Sequence, residues 1–264
     1  MELNNRDLSD LKKAVIILEN PGIAARITNF IGSPIEKGLE MLPSSVQSKI
    51  GDITQIALLK VADAAIFTMK DTPKRKASNL WHKTGAAVSG GVGGFFGFAG
   101  LAVELPISTG IMLRSIADVA RSEGESISAM ETKLACLEVF ALGGNKDSDD
   151  ATESGYLIVR AALAKSVSEA LQFTTGKAAA KEAAPAVINL ISKIAQRFSI
   201  QVSEKVAAQA IPAIGALGGA AINTVFIDHF QDMAKGHFIV KRLERTYGST
   251  LVQESYKQIL RNEI

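Results

Sequence analysis

The chain holds a single cysteine, a single tryptophan and three tyrosines among 264 residues. One thiol, Cys136, excludes an internal disulfide. Its place in the apolar run KLACLEVFAL marks a buried structural thiol rather than a nucleophile. Aromatics make up 6% of the residues, so a core must be built from Ala, Ile, Leu and Val, which suits closely packed helices. A net charge of +2, with no stripe of alternating basic and aromatic residues, excludes nucleic acid as the expected partner. Alternating runs bounded by tight turns are missing, which argues against a sheet, and no fixed-period repeat is present. No G-x-S-x-G nucleophile elbow occurs. The glycine run GGVGGFFG lacks the Lys-Ser/Thr that completes a P-loop, and its Phe95-Phe96 pair suits packing better than phosphate. The opening MELNNRDLSD has neither a basic nor an apolar leader region, so a cytoplasmic protein is expected.

What is there is helical. Leu8, Leu11, Val15, Ile16 and Leu18 recur at helical spacing over 6–20, and Asn20-Pro21-Gly22 stops that helix. The pattern predicts a short helix over 34–42 and a longer one over 45–69, then a polar, basic linker at 70–79. A helix is predicted from Pro106, well placed in a first turn, to Glu123, with Gly124 as its stop. Further helices are expected over 128–142, from near Asp149 through YLIVRAALAKSVSEALQF, and in two long stretches reaching Gly248. The expected fold is all-α, a single helical array, with an N-terminal extension at 1–48, a main domain at 49–250 and a C-terminal helix or tail at 251–264.

Two windows carry no charge, Thr84–Val103 and Val206–Ile227, and each is long enough for a bilayer-spanning helix. Their composition is unusual for a span. Gly90, Gly94 and Gly97 in the first, and Gly215 and Gly219 in the second, give flat faces at four-residue spacing on which another helix can lie. Each interior glycine costs a helix about 1 kcal/mol relative to Ala, so such faces need close neighbours. Pro212 is expected to break or kink the second window. The windows read as two glycine-rich apolar helical hairpins, either against a membrane or at the centre of a soluble bundle. Basic residues flank both: Lys74, Arg75, Lys76 and Lys83 before the first, and Lys235, Lys241, Arg242 and Arg245 after the second. Such residues attract anionic lipid.

At GGVGGFFGFAGLAVELPISTGIMLRSIADVARSEGE the sequence resembles the EcsC protein family. ETKLACLEVFALGG, ESGYLIVRAALA, AIPAIGALGGAAIN and DHFQDMAKGHFIVKRLERTYG follow in the family's order, over roughly residues 50 to 250. The resemblance implies a mostly helical cytoplasmic protein, in a family named after an operon that also encodes an ABC transporter. Some members carry peptidase or hydrolase labels, but no motif here supports one.

The polar residues of the windows are the candidate site. Glu104 ends an apolar run, where a buried carboxylate needs a partner. Arg114 and Asn223 are candidate partners, and Thr109 is grouped with them as a lipid, ligand or polar cluster. DHFQDMAKGH places Asp228, His229, Asp232 and His237 within ten residues, a weak candidate metal set, since only Asp228 and Asp232 share a helix face. Tyr156, Arg160 and Tyr247 mark a possible partner surface. The expectation is a non-catalytic, membrane-associated helical protein, peripheral to the inner face of the membrane. It binds lipid or a membrane-protein partner, and no cofactor is implied. The alternatives are a hydrolase using Glu104, Asp228, Asp232 or His229, with or without a metal, and a soluble bundle binding an apolar ligand. The sequence leaves homo-oligomerisation open.

Overall fold

A computed structural model describes residues 3–19, 22–32, 35–68, 97–144, 154–175, 180–210 and 215–263. Within them the chain is all-α, with ten α-helices and no strand. In chain order these are α1 (Asn5–Leu18), α2 (Ile23–Ile31), α3 (Glu36–Met41), α4 (Ser44–Thr68) and α5 (Gly97–Ser122), then α6 (Met130–Glu138) and a short 3₁₀ turn (Val139–Ala141). They continue as α7 (Gly155–Thr175), α8 (Ala180–Ala210), α9 (Gly215–Tyr247) and α10 (Ser249–Glu263). The linker at 70–79 and the residues Lys74, Arg75, Lys76, Lys83, Gly90, Gly94 and Pro212 lie outside the described residues.

Local signals explain most element ends. Asn4 caps α1, its Oδ1 accepting from the Asp7 backbone N–H at 2.8 Å. Gly32, Gly124 and Gly248 close α2, α5 and α9 in the left-handed region, where only glycine is unstrained. Ser154 caps α7, its hydroxyl accepting from the Leu157 N–H at 3.0 Å. The described part of that helix thus starts at Gly155 rather than near Asp149. Pro106 corrects a second expectation. It sits inside α5, which begins nine residues earlier at Gly97.

The long α9 is the spine. Its first half lies beside α5 and the end of α8, and its second half beside α1 and α10. Four phenylalanines, Phe140, Phe198, Phe226 and Phe230, meet where the 3₁₀ turn, α8 and α9 join, with ring centroids 4.9–6.1 Å apart. Residues 1–48 contribute to the same core, since Leu11, Val15, Ile23 and Ile27 have no exposed surface. Gly236 lets α1 approach closely, because a Cβ there would meet the Leu18 side chain at 2.6 Å.

α5 and α9 run in the same direction. Asn223 bonds Glu104 near their beginnings, and Gln231 Nε2 donates to Ser115 Oγ at 2.7 Å about two turns further along α9 and three along α5. Gly97 lies seven residues before Glu104, and Gly215 eight residues before Asn223. At 1.5 Å per residue both helices therefore extend about 10–12 Å past that contact, toward the same end of the bundle. The second glycine-rich window is divided between the end of α8 and the start of α9. The described part of the first, residues 97–103, opens α5, and the rest of that window lies outside the described residues.

Candidate functional site

Glu104 and Asn223 come together as expected, but the cation between them is Lys205. Its Nζ donates to Glu104 Oε1 at 2.9 Å, and Asn223 Nδ2 reaches the same oxygen at 3.4 Å. Lys205 has no exposed side-chain surface and Glu104 only 7%. The ammonium also lies 5.2 Å from the centre of the Phe226 ring, a cation–π contact. Three helices, α5, α8 and α9, are thereby joined at one buried point. The pairing had a sequence signal that is easy to pass over. Glu104 directly follows the first uncharged window, and Lys205 directly precedes the second.

Arg114 is not part of this cluster. It is exposed on α5, because ten residues of helix turn it away from the Glu104 side. Thr109 is fully buried, and its Oγ1 has no hydrogen-bond partner among the described residues. Hence the expected quartet resolves into Glu104, Lys205 and Asn223, with Arg114 and Thr109 apart from it.

The candidate metal residues do not converge either. Asp232 pairs with Arg26 on α2 at 2.8 Å. His229 and His237 are both buried, two turns apart on α9. Among the described residues no three His, Cys, Asp or Glu are placed to share an ion. The His229 ring packs under the turn after the 3₁₀ segment, so closely that a Cβ on Gly143 would lie 2.5 Å from it. Burial drives the His229 pKa down to about 3, with the Arg26 charge adding to the effect and the Leu142 backbone opposing it. His237 is also held well below the usual range, by burial first and then by Arg160 and Lys241. Its Nδ1 lies 3.1 Å from the Tyr156 hydroxyl. Tyr156 stacks on Tyr256, whose hydroxyl donates to Glu19 Oε1 at 2.9 Å. Glu19 also accepts from the Gly155 N–H at the start of α7, where a carboxylate is favoured. Arg160 forks onto Glu244 with two bonds of 2.9 Å. Tyr156 and Arg160 thus close the bundle from within.

Three of the basic residues after the second window pair with carboxylates. Arg242 contacts Asp7 at 3.2 Å, Asp10 at 3.0 Å and Glu123 at 2.9 Å. Arg245 pairs with Glu125, and Lys241 with Glu131 at 3.8 Å. These three take part in internal pairing. Tyr247 joins the same region, donating to Asp7 Oδ2 at 2.7 Å.

Toward its beginning, the solvent-facing side of α5 is apolar. Val103 is 67% exposed and Ile107 51%. Among the described residues α5 is the one helix long and apolar enough to cross a bilayer, and 56% of its most apolar window is buried in protein. It is therefore a half-packed helix, with one face in the core and one outside. Comparison with known proteins supplies the family. No curated protein and no solved structure matches the chain. The match to the EcsC protein family runs over residues 4–243, taking in α1–α3 as well as the motifs after residue 50, and the chain belongs to that family.

Proposed function

We propose that the protein is a non-catalytic helical protein that works at a membrane surface, through the end of the bundle where α5 and α9 begin. The observation that carries this reading is the outward face of α5 at that end, where Val103 and Ile107 are exposed and the helix carries no charge from Gly100 to Gly110 on that side. Large apolar side chains clustered in this way mark an interaction surface. The sequence leading into α5, Thr84–Phe96, is uncharged and rich in glycine. The Lys205–Glu104 pair supports the reading from inside. Ionisable groups at membrane depth are tolerated when they face the protein interior and pair. In this reading the protein is peripheral to the inner face of the cytoplasmic membrane and binds lipid or a membrane-protein partner, an ABC transporter among the candidates the family resemblance suggests.

The hydrolase reading rests on less. Glu104 is tied to Lys205, and the acidic and histidine residues of α9 do not assemble a reacting group. Flotation of the full chain on vesicles, with and without anionic lipid and at low and high salt, tests the proposal. Co-flotation that survives high salt is expected, because apolar insertion is not screened. A protein that stays at the bottom of every gradient would overturn it.

A further inference from the structure

We infer that α5 enters the membrane end-on to the depth of one leaflet, and that Arg114 binds the phosphate of an anionic lipid at the leaflet surface. This rests on the membrane reading above and adds orientation, depth and headgroup chemistry.

The argument runs along the outer face of α5. At 100° per residue, Gly100, Val103, Ile107, Gly110 and Arg114 fall on one side of the helix. Val103, Ile107 and Arg114 are the exposed members of that side. From Gly100 to Gly110 the face is uncharged; from Arg114 onward it carries charge at Arg114, Asp118 and Arg121. Arg121 bonds Asp118 at 2.5 Å, so these two charges pair with each other. Arg114 is left without a hydrogen bond or ion pair among the described residues. The polarity of the face therefore changes along the helix rather than around it. That pattern suits a helix entering by its end, not one lying flat in the interface.

The length fits a single leaflet. Val103 and Arg114 are eleven residues apart, about 16 Å of helix. Half of a bilayer's hydrocarbon core is about 15 Å. With the Arg114 guanidinium at the phosphate plane, Val103 comes close to the midplane. The long arginine side chain can follow the surface while its helix tilts. Glu104 then lies at nearly the same depth as Val103 but on the inward side, joined to Lys205 and shielded from lipid. A second copy of the chain fits the face less well. In a symmetric pairing of α5 with α5 that covers Val103 and Ile107, Arg114 meets either its own mate or an apolar stretch of that helix. An anionic lipid supplies both the apolar surroundings and the counter-charge.

Site-directed spin labelling of the full chain tests this. Labels are placed on Val103→Cys, Ile107→Cys and Arg114→Cys, leaving the buried Cys136 unmodified. The protein is bound to phosphatidylcholine vesicles containing phosphatidylglycerol, and depth is read from collisions with oxygen and with a water-soluble nickel chelate. Val103 is expected deepest, Ile107 about one turn shallower, and Arg114 at headgroup level. Arg114→Gln is expected to weaken binding to the anionic vesicles about fivefold, the worth of one basic group at a surface, and to leave binding to pure phosphatidylcholine unchanged. Equal depths for the three labels, labels that stay in water on bound protein, or an equal loss on both vesicle types would each overturn this inference and leave membrane association standing. A dimer in solution that covers the labels would also overturn it. Absence of binding to every vesicle would overturn the membrane reading itself.

Discussion

A lysine with no exposed surface depends on what its ammonium touches. Lys205 keeps Glu104 and the Phe226 face, and each partner carries part of the desolvation that burial imposes. Lys205→Met should therefore cost about 3–5 kcal/mol, since it strands a buried carboxylate. Adding Glu104→Leu should recover much of that loss, because two apolar groups need no partner. Chemical denaturation of the two single variants and the double variant measures the coupling; simple additivity would show that the pair is not a unit. Gly143 sets a different limit. It holds φ +73° and its missing Cβ leaves room for the His229 ring. Gly248 has φ +87° with open space around it. Gly248→Ala should then cost only the left-handed backbone, about 1–2 kcal/mol, and Gly143→Ala should add about 1–3 kcal/mol of overpacking. Equal losses in thermal denaturation would show that the ring moves aside freely. The histidines set the pH response. A neutral buried His229 has a folded pKa near 3, against 6.5 for the free side chain, so the unfolded chain binds the extra proton between those values. Stability is full above about pH 6.5 and falls as pH drops toward 3, on the order of 1 kcal/mol per pH unit. Glu138, whose pKa burial raises, opposes this above its ordinary value of 4.5. Comparison with His229→Gln separates the two. A variant with an unchanged acid limb would show that His229 does not carry the effect.

At the scale of elements, α9 organises the fold through different contacts along its length. Its beginning is joined to α5 and α8 by the buried polar cluster, and its end to α1 by Arg242 and Tyr247. One guanidinium reaches three carboxylates on α1 and just after α5. Arg242→Gln should lower stability by about 1–2 kcal/mol, because a charged network is exchanged for one neutral amide. Faster amide hydrogen exchange is expected in α1 and little change around Phe198 and Phe230. A uniform change across the chain would show that α1 does not open separately. The long elements were legible in the sequence because their apolar residues repeat at the helical period, as over 45–69 for α4. The start of α5 was not. Pro106 suggested a first turn, but proline needs only a tolerated missing N–H, and neighbouring helices supply the packing that keeps α5 continuous through it. α2 was passed over because Pro21 and Gly22 suggested a stop and a helix of nine residues has only about two and a half turns.

At the scale of the whole molecule, parallel α5 and α9 bring the glycine-bearing starts of both helices to one end of the bundle. Spacing along the sequence could suggest that each window packs closely against something. It could not show that the two windows share an end, because that depends on which polar residues meet across helices. Glu104 and Asn223 were legible as buried polar groups, and Lys205 was not, since a lysine at the edge of an apolar window reads as a solvated flank. Lys241, Arg242 and Arg245 read as flanks for a related reason: the carboxylates they meet are distant in sequence. The surface consequence is specific. If the α5 face binds the membrane, charge placed there should abolish binding without unfolding the protein, because Val103 and Ile107 are exposed and contribute little to the core. Val103→Asp with Ile107→Asp should keep the helical circular dichroism and change the melting temperature by only a few degrees, as exposed substitutions do. The same variant should lose vesicle flotation almost completely, since an aspartate costs about 2.5–3.5 kcal/mol at the centre of a membrane helix. Ile188→Asp on α8 and Ile200→Asp on the same helix are the controls, each replacing a comparably exposed isoleucine away from α5. Equal loss of flotation in those controls would mean that the protein adheres through general apolar exposure. Loss confined to the α5 variant would make that face the membrane-binding surface.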